Sequence, residues 1–222
     1  MSSNLQELNS IIINCKKCPR LAKYIATVAK MKVKRYNDWN YWGRPLPGFG
    51  DPNAKILIIG LAPAAHGGNR TGRMFTGDSS GDWLMRALYE SGFANHPNSM
   101  RRDDGLKLKS VYVTAILRCA PPGNKPSKQE IENCSSYLVE ELKILRHIKV
   151  ILALGVLAFN TYTSMRGIKG LRFKHAAIYD LSDNLTLVAC YHPSRQNTQT
   201  GKLTWNDWIK VFRKIRNIIN SN

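Results

Sequence analysis

Four cysteines occur in two pairs whose spacing suits metal binding. Cys15 and Cys18 form a C-x-x-C pair, and Cys119 and Cys134 form a second, wider pair. Four thiolates suit zinc or an iron–sulfur cluster equally well by count, and spacing alone does not choose between them. The alternative is two disulfides or unrelated buried thiols, which a reducing cytosol disfavours. Cys190 lies inside the apolar run "LVACY", where a free cysteine packs as a small hydrophobic side chain.

A glycine-rich loop has the sequence "GLAPAAHGGNRTGRMFTGD" at residues 60–78. Its middle nearly matches a phosphate-binding P-loop, but Arg73 replaces the lysine and a methionine replaces the hydroxyl that holds magnesium. This departure disfavours a nucleoside triphosphatase. Arg70 and Arg73 are expected to meet phosphate oxygens, and Phe75 to stack on a planar ring. The alternatives are a core position for Phe75 and a helix N-cap role for Asp78.

Polar residues whose side chains are suited to catalysis or to DNA contact also follow the last apolar run. His192 stands at the carboxyl end of this run, where it is expected to function, although the alternative is a buried turn histidine. The following loop carries Arg195, Gln196 and Asn197, which can enter a DNA minor groove or fill the space of an extruded nucleotide. The alternative is a simple solvent-exposed loop.

The elements that must position these residues alternate between strand and helix. Runs of β-branched and apolar residues predict buried parallel strands at 55–61, 110–116, 149–154 and 185–191. Helical patterns lie at 79–92, 127–145, 156–165 and 204–219. The alternation predicts a doubly wound α/β sandwich with an N-terminal helical extension. Because ligands bind beyond the carboxyl ends of such strands, we expect the four following segments to converge on one cleft.

The net charge is strongly positive. Thirty-three lysines and arginines against fifteen aspartates and glutamates give +18, which favours nucleic acid as the partner. The alternative is a basic protein with solvated lysines. A basic, aromatic stretch lies at residues 30–50, and its residues Lys30, Lys32, Lys34 and Arg35 could follow a phosphate backbone. The alternative is again a solvated face of the protein. The N-terminus has neither the architecture of a signal peptide nor that of a membrane span, so we expect a cytosolic protein without a membrane partner.

Three long blocks, together with the four paired cysteines, resemble a known family. The blocks are "PGFGDPNAKILIIGLAPAAHGGNRTGRMFTGDSSGDWL", "RCAPPGNKP" and "YHPSRQNTQTGKLT". They are similar to the family-5 (type B) uracil-DNA glycosylases of archaea and thermophilic bacteria, over nearly the whole chain. The resemblance implies a single domain, residues 1–222, built as a three-layer αβα sandwich around a central four-stranded parallel sheet. The N-terminal helical extension, residues 1–45, then contributes two of the cysteines.

The resemblance also implies a function. It implies removal of uracil from DNA, and of other damaged bases such as hypoxanthine, ethenocytosine and mismatched thymine. It implies a structural [4Fe-4S] cluster held by the four paired cysteines. Within the site, it implies that Asp78 orients the attacking water, that Phe75 lies under the flipped base, that Asn124 reads or positions the substrate, and that His192 donates a hydrogen bond to the leaving base.

The chemistry needs groups of this kind. Cleavage of an N-glycosidic bond spreads positive charge over the sugar and leaves negative charge on the base. A histidine can stabilise the base anion, and a carboxylate can hold the water. Directly after the first strand the chain has alanines, which leave no polar side chain for water there and make room for larger bases. The expected substrate-binding set is Gly60, Ala62, Ala65, His66 and Phe75, although the role of His66 is not assigned by its type.

The sequence therefore predicts a monofunctional DNA glycosylase of base excision repair that leaves an abasic site. No lysine stands out as a Schiff-base nucleophile, so no strand cleavage is expected. The expected substrate is double- and single-stranded DNA with damaged bases, and the expected state is a monomer. The expected location is the cytoplasm of a prokaryote, archaeal or thermophilic bacterial, at the nucleoid. The alternatives are a non-catalytic nucleic-acid-binding protein with a structural metal site of four cysteines and a nucleotide-binding enzyme.

Overall fold

A six-stranded sheet lies at the centre of the computed structural model, which describes residues 4–181 and 184–220. Across the sheet the strand order is β1-β3-β2-β4-β6-β5. The strands are β1 (Phe49–Gly50), β2 (Ile56–Gly60), β3 (Val111–Ala115), β4 (Val150–Leu154), β5 (Ala177–Leu181) and β6 (Leu185–Cys190).

The four strands that the sequence predicts are β2, β3, β4 and β6, and neighbouring members of this set pair in parallel. The expectation of a four-stranded sheet is wrong in its count, because β1 and β5 each add an antiparallel strand at an edge. β1 has only two residues, and β5 alternates between half-buried and exposed positions. A search for continuous apolar runs misses both, since an edge strand need not be apolar on both faces.

Helices cover both faces of the sheet, as the sequence predicts. The helices are α1 (Leu5–Ile13), α2 (Pro19–Met31), α3 (Gly68–Thr71), α4 (Ser79–Glu90), α5 (Lys128–Ile144), α6 (Val156–Met165), α7 (Arg195–Gln199) and α8 (Trp205–Asn220). In β2, Ile56 and Ile58 pack in one apolar cluster with residues of α4 and α8. Leu57 and Ile59 pack in a second cluster with residues of α5 and α6. This three-layer αβα arrangement explains why the central strands are apolar throughout.

The N-terminal extension forms two helices that pack beside the sandwich. Leu8 and Ile12 of α1 and Leu21 and Ile25 of α2 are buried in a third apolar cluster, which also contains residues of α5. Residues 1–3 of the extension lie outside the described residues. Among the described residues, no helix has the length and apolar character that crossing a membrane requires.

The topology places a crevice at one end of the sheet. β3 and β4 lie on opposite sides of β2, so the connections leaving β2 and β4 run in opposite directions. In open α/β sheets such a reversal separates the loops at the carboxyl ends of the strands and opens a ligand site between them. The segments that follow β2, β3, β4 and β6 meet around one crevice.

Candidate active site

The crevice contains a cavity of about 460 Å³, within the usual range for small-molecule sites. Its walls come from the segments after β2, β3, β4 and β6 and from the start of α4. The predicted site residues that line this cavity are Ala62, Asp78, Asn124, His192 and Arg195. The convergence of these segments confirms the geometric expectation drawn from the order of strands and helices.

A wider depression of about 870 Å³ lies at the opposite end of the sheet. Its lining includes Lys55, Lys149 and Thr186, which are at or next to the amino ends of β2, β4 and β6. It contains none of the predicted site residues. Because ligands of open α/β sheets bind at the carboxyl ends, the smaller cavity is the candidate active site despite the difference in volume.

Asp78 both caps a helix and faces the cavity. Its Oδ1 accepts a hydrogen bond of 2.9 Å from the backbone N–H of Gly81, so it is the N-cap of α4. Its Oδ2 lies against the backbone of Gly67, where an added Cβ would approach Oδ2 to 2.0 Å. Burial raises the pKa of the Asp78 carboxyl, and the hydrogen bond from Gly81 opposes that change. The two alternatives weighed for Asp78, capping and chemistry, are therefore compatible in one conformation.

His192 lines the same cavity and is a half-buried residue. Desolvation lowers its pKa to about 4, so the ring is neutral at physiological pH. Asn197 fixes the backbone at this point, because its side-chain Nδ2 donates a 2.8 Å hydrogen bond to the carbonyl oxygen of His192. Asn197 is thus engaged inside the protein, whereas Arg195 and Gln196 of α7 are exposed as expected of a DNA-contacting loop.

Phe75 packs behind the cavity in the apolar core. Its side chain is 9% exposed, and neither Phe75 nor Gly60 is among the residues that line the cavity. The ring lies so close to Gly60 that an added Cβ there would be 2.8 Å from its Cζ atom. The centroids of the Phe75 and His192 rings are 5.9 Å apart. In this structure the Phe75 ring therefore packs beside the His192 imidazole.

Arg73 is turned into the protein, which corrects the expectation that it meets phosphate. Its Nη2 forms a 2.7 Å ion pair with Asp104 and donates a 2.8 Å hydrogen bond to Ser99. The side chain is only 6% exposed. Loop segments outside helices and strands have polar groups without regular hydrogen-bond partners. The Arg73 guanidinium provides such partners here, because it donates to the Thr76 hydroxyl and to the carbonyl oxygen of Arg102.

Arg70 is also turned inward, with the same correction. Its Nε donates to the carbonyl oxygen of His66 and its Nη2 to that of Gly77, each at 2.8 Å. The guanidinium carbon lies 3.8 Å and 4.0 Å from the ring centroids of Tyr36 and Trp39. Arg70 therefore links the two ends of the segment between His66 and Gly77. This link helps to position Asp78, the residue after Gly77.

His66 and Ala65 border a second cavity, of about 440 Å³, beside the first. The Nδ1 of His66 lies 3.1 Å from the Tyr41 hydroxyl oxygen. Asn124 lines both cavities; it is exposed and adopts a left-handed backbone conformation with φ of +57°. The sequence leaves Tyr41 open as a packing or stacking residue and does not predict its pairing with His66, because nothing in its spacing links the two residues, 25 positions apart.

Sequence reasoning also missed the apolar wall after β4. Val156 and Leu157 line the cavity although their side chains are 49% and 48% exposed. Two large apolar residues at the exposed start of a helix are a usable signal, because such groups normally turn inward. Their contact with the cavity provides an apolar surface for a flat ring.

The four paired cysteines gather in the apolar cluster formed by α1, α2 and α5. Cys119 and Cys134 are buried, Cys15 and Cys18 are half-buried, and all are free thiols rather than disulfides. Burial is the main cause that raises the pKa of Cys119 and of Cys134, and the neighbouring thiols raise it further. Within residues 4–181 and 184–220, no three metal-binding side chains are close enough to hold a single metal ion. Cys190 is fully buried in the core.

Comparison with known proteins identifies the family. A family model described as "Uracil DNA glycosylase superfamily" matches residues 47–216. The chain therefore belongs to the uracil-DNA glycosylase superfamily.

The relatives define the branch. A "Type-5 uracil-DNA glycosylase" of Pyrobaculum aerophilum is 46% identical over 203 residues, which cover 91% of this chain and 88% of the relative. A protein of the same description from Thermus thermophilus is 44% identical over 206 residues, covering 92% of this chain and 93% of the relative. A "Type-4 uracil-DNA glycosylase" of Pyrobaculum aerophilum is only 32% identical over 165 residues, covering 74% and 67%. The branch is thus type 5, as the resemblance implies.

The environment of His192 predicts an unusual titration. We expect its imidazole to stay neutral down to about pH 4, because desolvation disfavours the charged ring. In the unfolded chain the same ring titrates near its ordinary value of about 6.5. Because the folded pKa is depressed, this group leaves stability intact above about pH 6.5. It reduces the free energy of unfolding as the pH falls from there to about 4.

The measurement is an NMR pH titration of the histidine rings, with His192→Gln to assign the signal and urea-unfolded protein as the reference. A midpoint for His192 at or above about 6 would contradict the desolvated, neutral imidazole.

Proposed function

We propose that this protein is a monofunctional uracil-DNA glycosylase of base excision repair, which hydrolyses the N-glycosidic bond of uracil and leaves an abasic site. The observation that carries the proposal is the convergence of Asp78, Asn124 and His192 on one cavity, in a chain of this superfamily. The relatives in the type-5 branch are named for the same activity.

His192 stabilises the departing base in this proposal. Uracil leaves as an anion with charge on its carbonyl oxygens, and a neutral imidazole N–H can donate to one of them. In a cavity with an apolar wall this contact is worth about 3–4 kcal/mol in the transition state, by analogy with single oxyanion donors. The low pKa of His192 suits this role, because the ring donates a hydrogen bond without carrying a charge that binding would have to desolvate.

Asp78 holds the attacking water on the other side of the sugar. One oxygen of its carboxylate serves the helix cap, and the carboxylate also lines the cavity. No other carboxylate is among the residues lining this cavity in the part of the chain that the structure describes. With alanines at 62 and 64, the water depends on Asp78 and on the exposed amide of Asn124.

The substrate range in this proposal is broad. Ala62 and Ala64 line the base cavity with methyl groups, and Val156 and Leu157 add an apolar surface. Such walls impose shape more than hydrogen bonding, so hypoxanthine, ethenocytosine and mismatched thymine fit the proposal alongside uracil. None of the cavity's lining residues in the described ranges is a lysine, which agrees with hydrolysis rather than Schiff-base chemistry.

A structural [4Fe-4S] cluster held by Cys15, Cys18, Cys119 and Cys134 is part of the proposal. The donor set fits, because all four thiols share one apolar cluster. The backbone N–H of Arg118 donates to the Cys134 sulfur at 3.4 Å, which is the kind of contact that supports cluster thiolates. The Nη2 of Arg118 forms a buried ion pair of 2.7 Å with Glu141, while its Nε and Nη1 are buried without a hydrogen-bond partner among the described residues. When bound, the cluster supplies a covalent link between the N-terminal helices and the sandwich.

The remaining parts of the proposal concern DNA binding, the oligomeric state and the location in the cell. Its substrate is double- or single-stranded DNA, with Arg195 and Gln196 of the exposed α7 contacting the strand, and the net charge of +18 supports such binding. We infer that the protein acts as a single-domain monomer in the cytoplasm, at the nucleoid of an archaeal or thermophilic bacterial cell.

The activity is tested by incubating the purified protein with a uracil-containing duplex and cleaving abasic sites with alkali. We expect alkali-labile sites with the wild type and intact strands before alkali. Asp78→Ser keeps an N-cap residue but removes the carboxylate, so we expect kcat to fall by about 10²-fold with the melting temperature retained. His192→Ala should lower kcat by about 10²–10³-fold.

The matched control is Asp82→Ala, since Asp82 is also acidic and in the first turn of α4 but does not line the cavity. This variant should keep wild-type turnover. Strands that stay intact after alkali with every damaged base would refute the activity and favour a non-catalytic DNA-binding protein. If Asp78→Ser kept the wild-type kcat, Asp78 would act only as the N-cap of α4 and not in the reaction.

The cluster is tested by metal and sulfide analysis of anaerobically purified protein, with its visible absorption. We expect about four iron atoms and four sulfides per chain. The variant Cys15→Ala/Cys18→Ala should lose both the iron and the colour, whereas Cys190→Ala, which alters only a core residue, should keep them. A colourless protein with one zinc per chain would contradict the iron–sulfur proposal.

A further inference from the structure

The second cavity, beside the base cavity, has a lining that suits an anion and a sugar. The two cavities share Asp78 and Arg195 among their lining residues, so they are adjacent. On its far side the second cavity is closed by the N-terminal extension, through Tyr24, Arg35 and Tyr36. The extension thus contributes to a site as well as carrying two cysteines.

Two exposed arginines line this second cavity. Arg35 belongs to a 3-10 turn at Lys34–Tyr36, and Arg195 is the first residue of α7. Neither guanidinium forms an ion pair with a carboxylate of the described residues. Among the described residues that line the cavity, the only carboxylate is that of Asp78, whose negative charge burial disfavours. The local field therefore favours a negatively charged ligand.

The walls between the arginines are organised by aromatic rings. The Arg35 guanidinium carbon lies 5.2 Å from the ring centroid of Tyr36, and the buried guanidinium of Arg70 lies 3.8 Å from the same ring. Tyr36 is thus held in place by Arg70 and in turn supports Arg35. His66, whose Nδ1 pairs with Tyr41, makes no other side-chain hydrogen bond among the described residues, so its second ring nitrogen is available to a ligand.

We propose that this cavity binds the DNA backbone next to the lesion, with one phosphodiester between Arg35 and Arg195 and the adjoining deoxyribose against Tyr36. This inference rests on the proposed function, because it requires that the extruded nucleotide occupies the base cavity. The shared wall at Asp78 is where the sugar of that nucleotide would pass from one cavity to the other. A phosphate held there also places negative charge beside the cationic sugar of the transition state.

The first test measures binding to a duplex that carries a tetrahydrofuran abasic analogue, by fluorescence anisotropy over a range of salt concentrations. Arg35→Ala should weaken binding about tenfold at low salt, as expected for a charge-assisted hydrogen bond. The slope of log Kd against log salt should fall by about 0.9, because one counterion fewer is released. Arg35→Lys should restore most of the slope. Arg216→Ala is the control, since Arg216 is an exposed arginine of α8 that lines neither cavity, and it should change nothing.

The second test replaces single phosphodiesters of the lesion strand with neutral methylphosphonates. A methylphosphonate at one position, directly flanking the abasic analogue, should weaken wild-type binding about tenfold. With that replacement in place, Arg35→Ala should cause no further loss of affinity. Equal additional losses at every position, or an unchanged salt slope in Arg35→Ala, would overturn the site. A cavity that binds free deoxyribose phosphate but shows no dependence on the flanking phosphodiester would also overturn it. Because these tests use an uncleavable duplex, a failed uracil-release assay with retained Arg35 coupling would refute only the proposed activity.

Discussion

The contact between the Asp78 carboxylate and the backbone of Gly67 is the constraint on which the rest of the site depends. This contact brings together two parts of the loop between β2 and α4. The carboxylate of Asp78 can approach the backbone closely there because Gly67 has no side chain. One carboxylate oxygen then reaches the first turn of α4, and the helix fixes its position. Arg70, which is buried, holds the same loop from within through the carbonyl oxygens of His66 and Gly77. The loop is thereby held by backbone contacts and by the buried guanidinium groups of Arg70 and Arg73.

Burial then decides the protonation of the groups that the loop brings together. The same apolar surroundings lower the pKa of His192 and raise that of Asp78, because burial penalises both charged forms. A neutral imidazole can still donate a hydrogen bond to a leaving base anion, and the pKa of about 4 keeps the His192 ring neutral at physiological pH. The hydrogen bond from the amide of Gly81 opposes the effect of burial on the pKa of Asp78, so the helix cap also favours the charged carboxylate. The pair resembles other active sites in which environment, rather than residue type, assigns the roles.

The sequence predicts much of this arrangement, for identifiable physical reasons. Strands buried on both faces appear as continuous apolar runs, so β2, β3, β4 and β6 are evident, and the capping box of Ser127 and Glu130 predicts the start of α5. Edge strand β5 is not evident, because only one of its faces is covered. The direction of a long side chain is a tertiary property, so Arg70 and Arg73 have the composition of phosphate ligands yet point inward. Tyr41 and the wall at Val156 are likewise set by packing between segments distant in sequence.

The most direct test of the central claim is the rate of uracil release by Gly67→Ala under single-turnover conditions. The added methyl group would lie 2.0 Å from the Asp78 carboxylate, so the carboxylate must move. Relieving this overlap requires a shift of the carboxylate by roughly 1 Å, and a misplacement of that size predicts a loss of about 10²-fold in rate. Gly92→Ala is the reference, because no atom lies within 4 Å of its new Cβ and only its positive φ is strained, so its rate should equal that of the wild type. A wild-type rate in Gly67→Ala would contradict the dependence of the site on this contact.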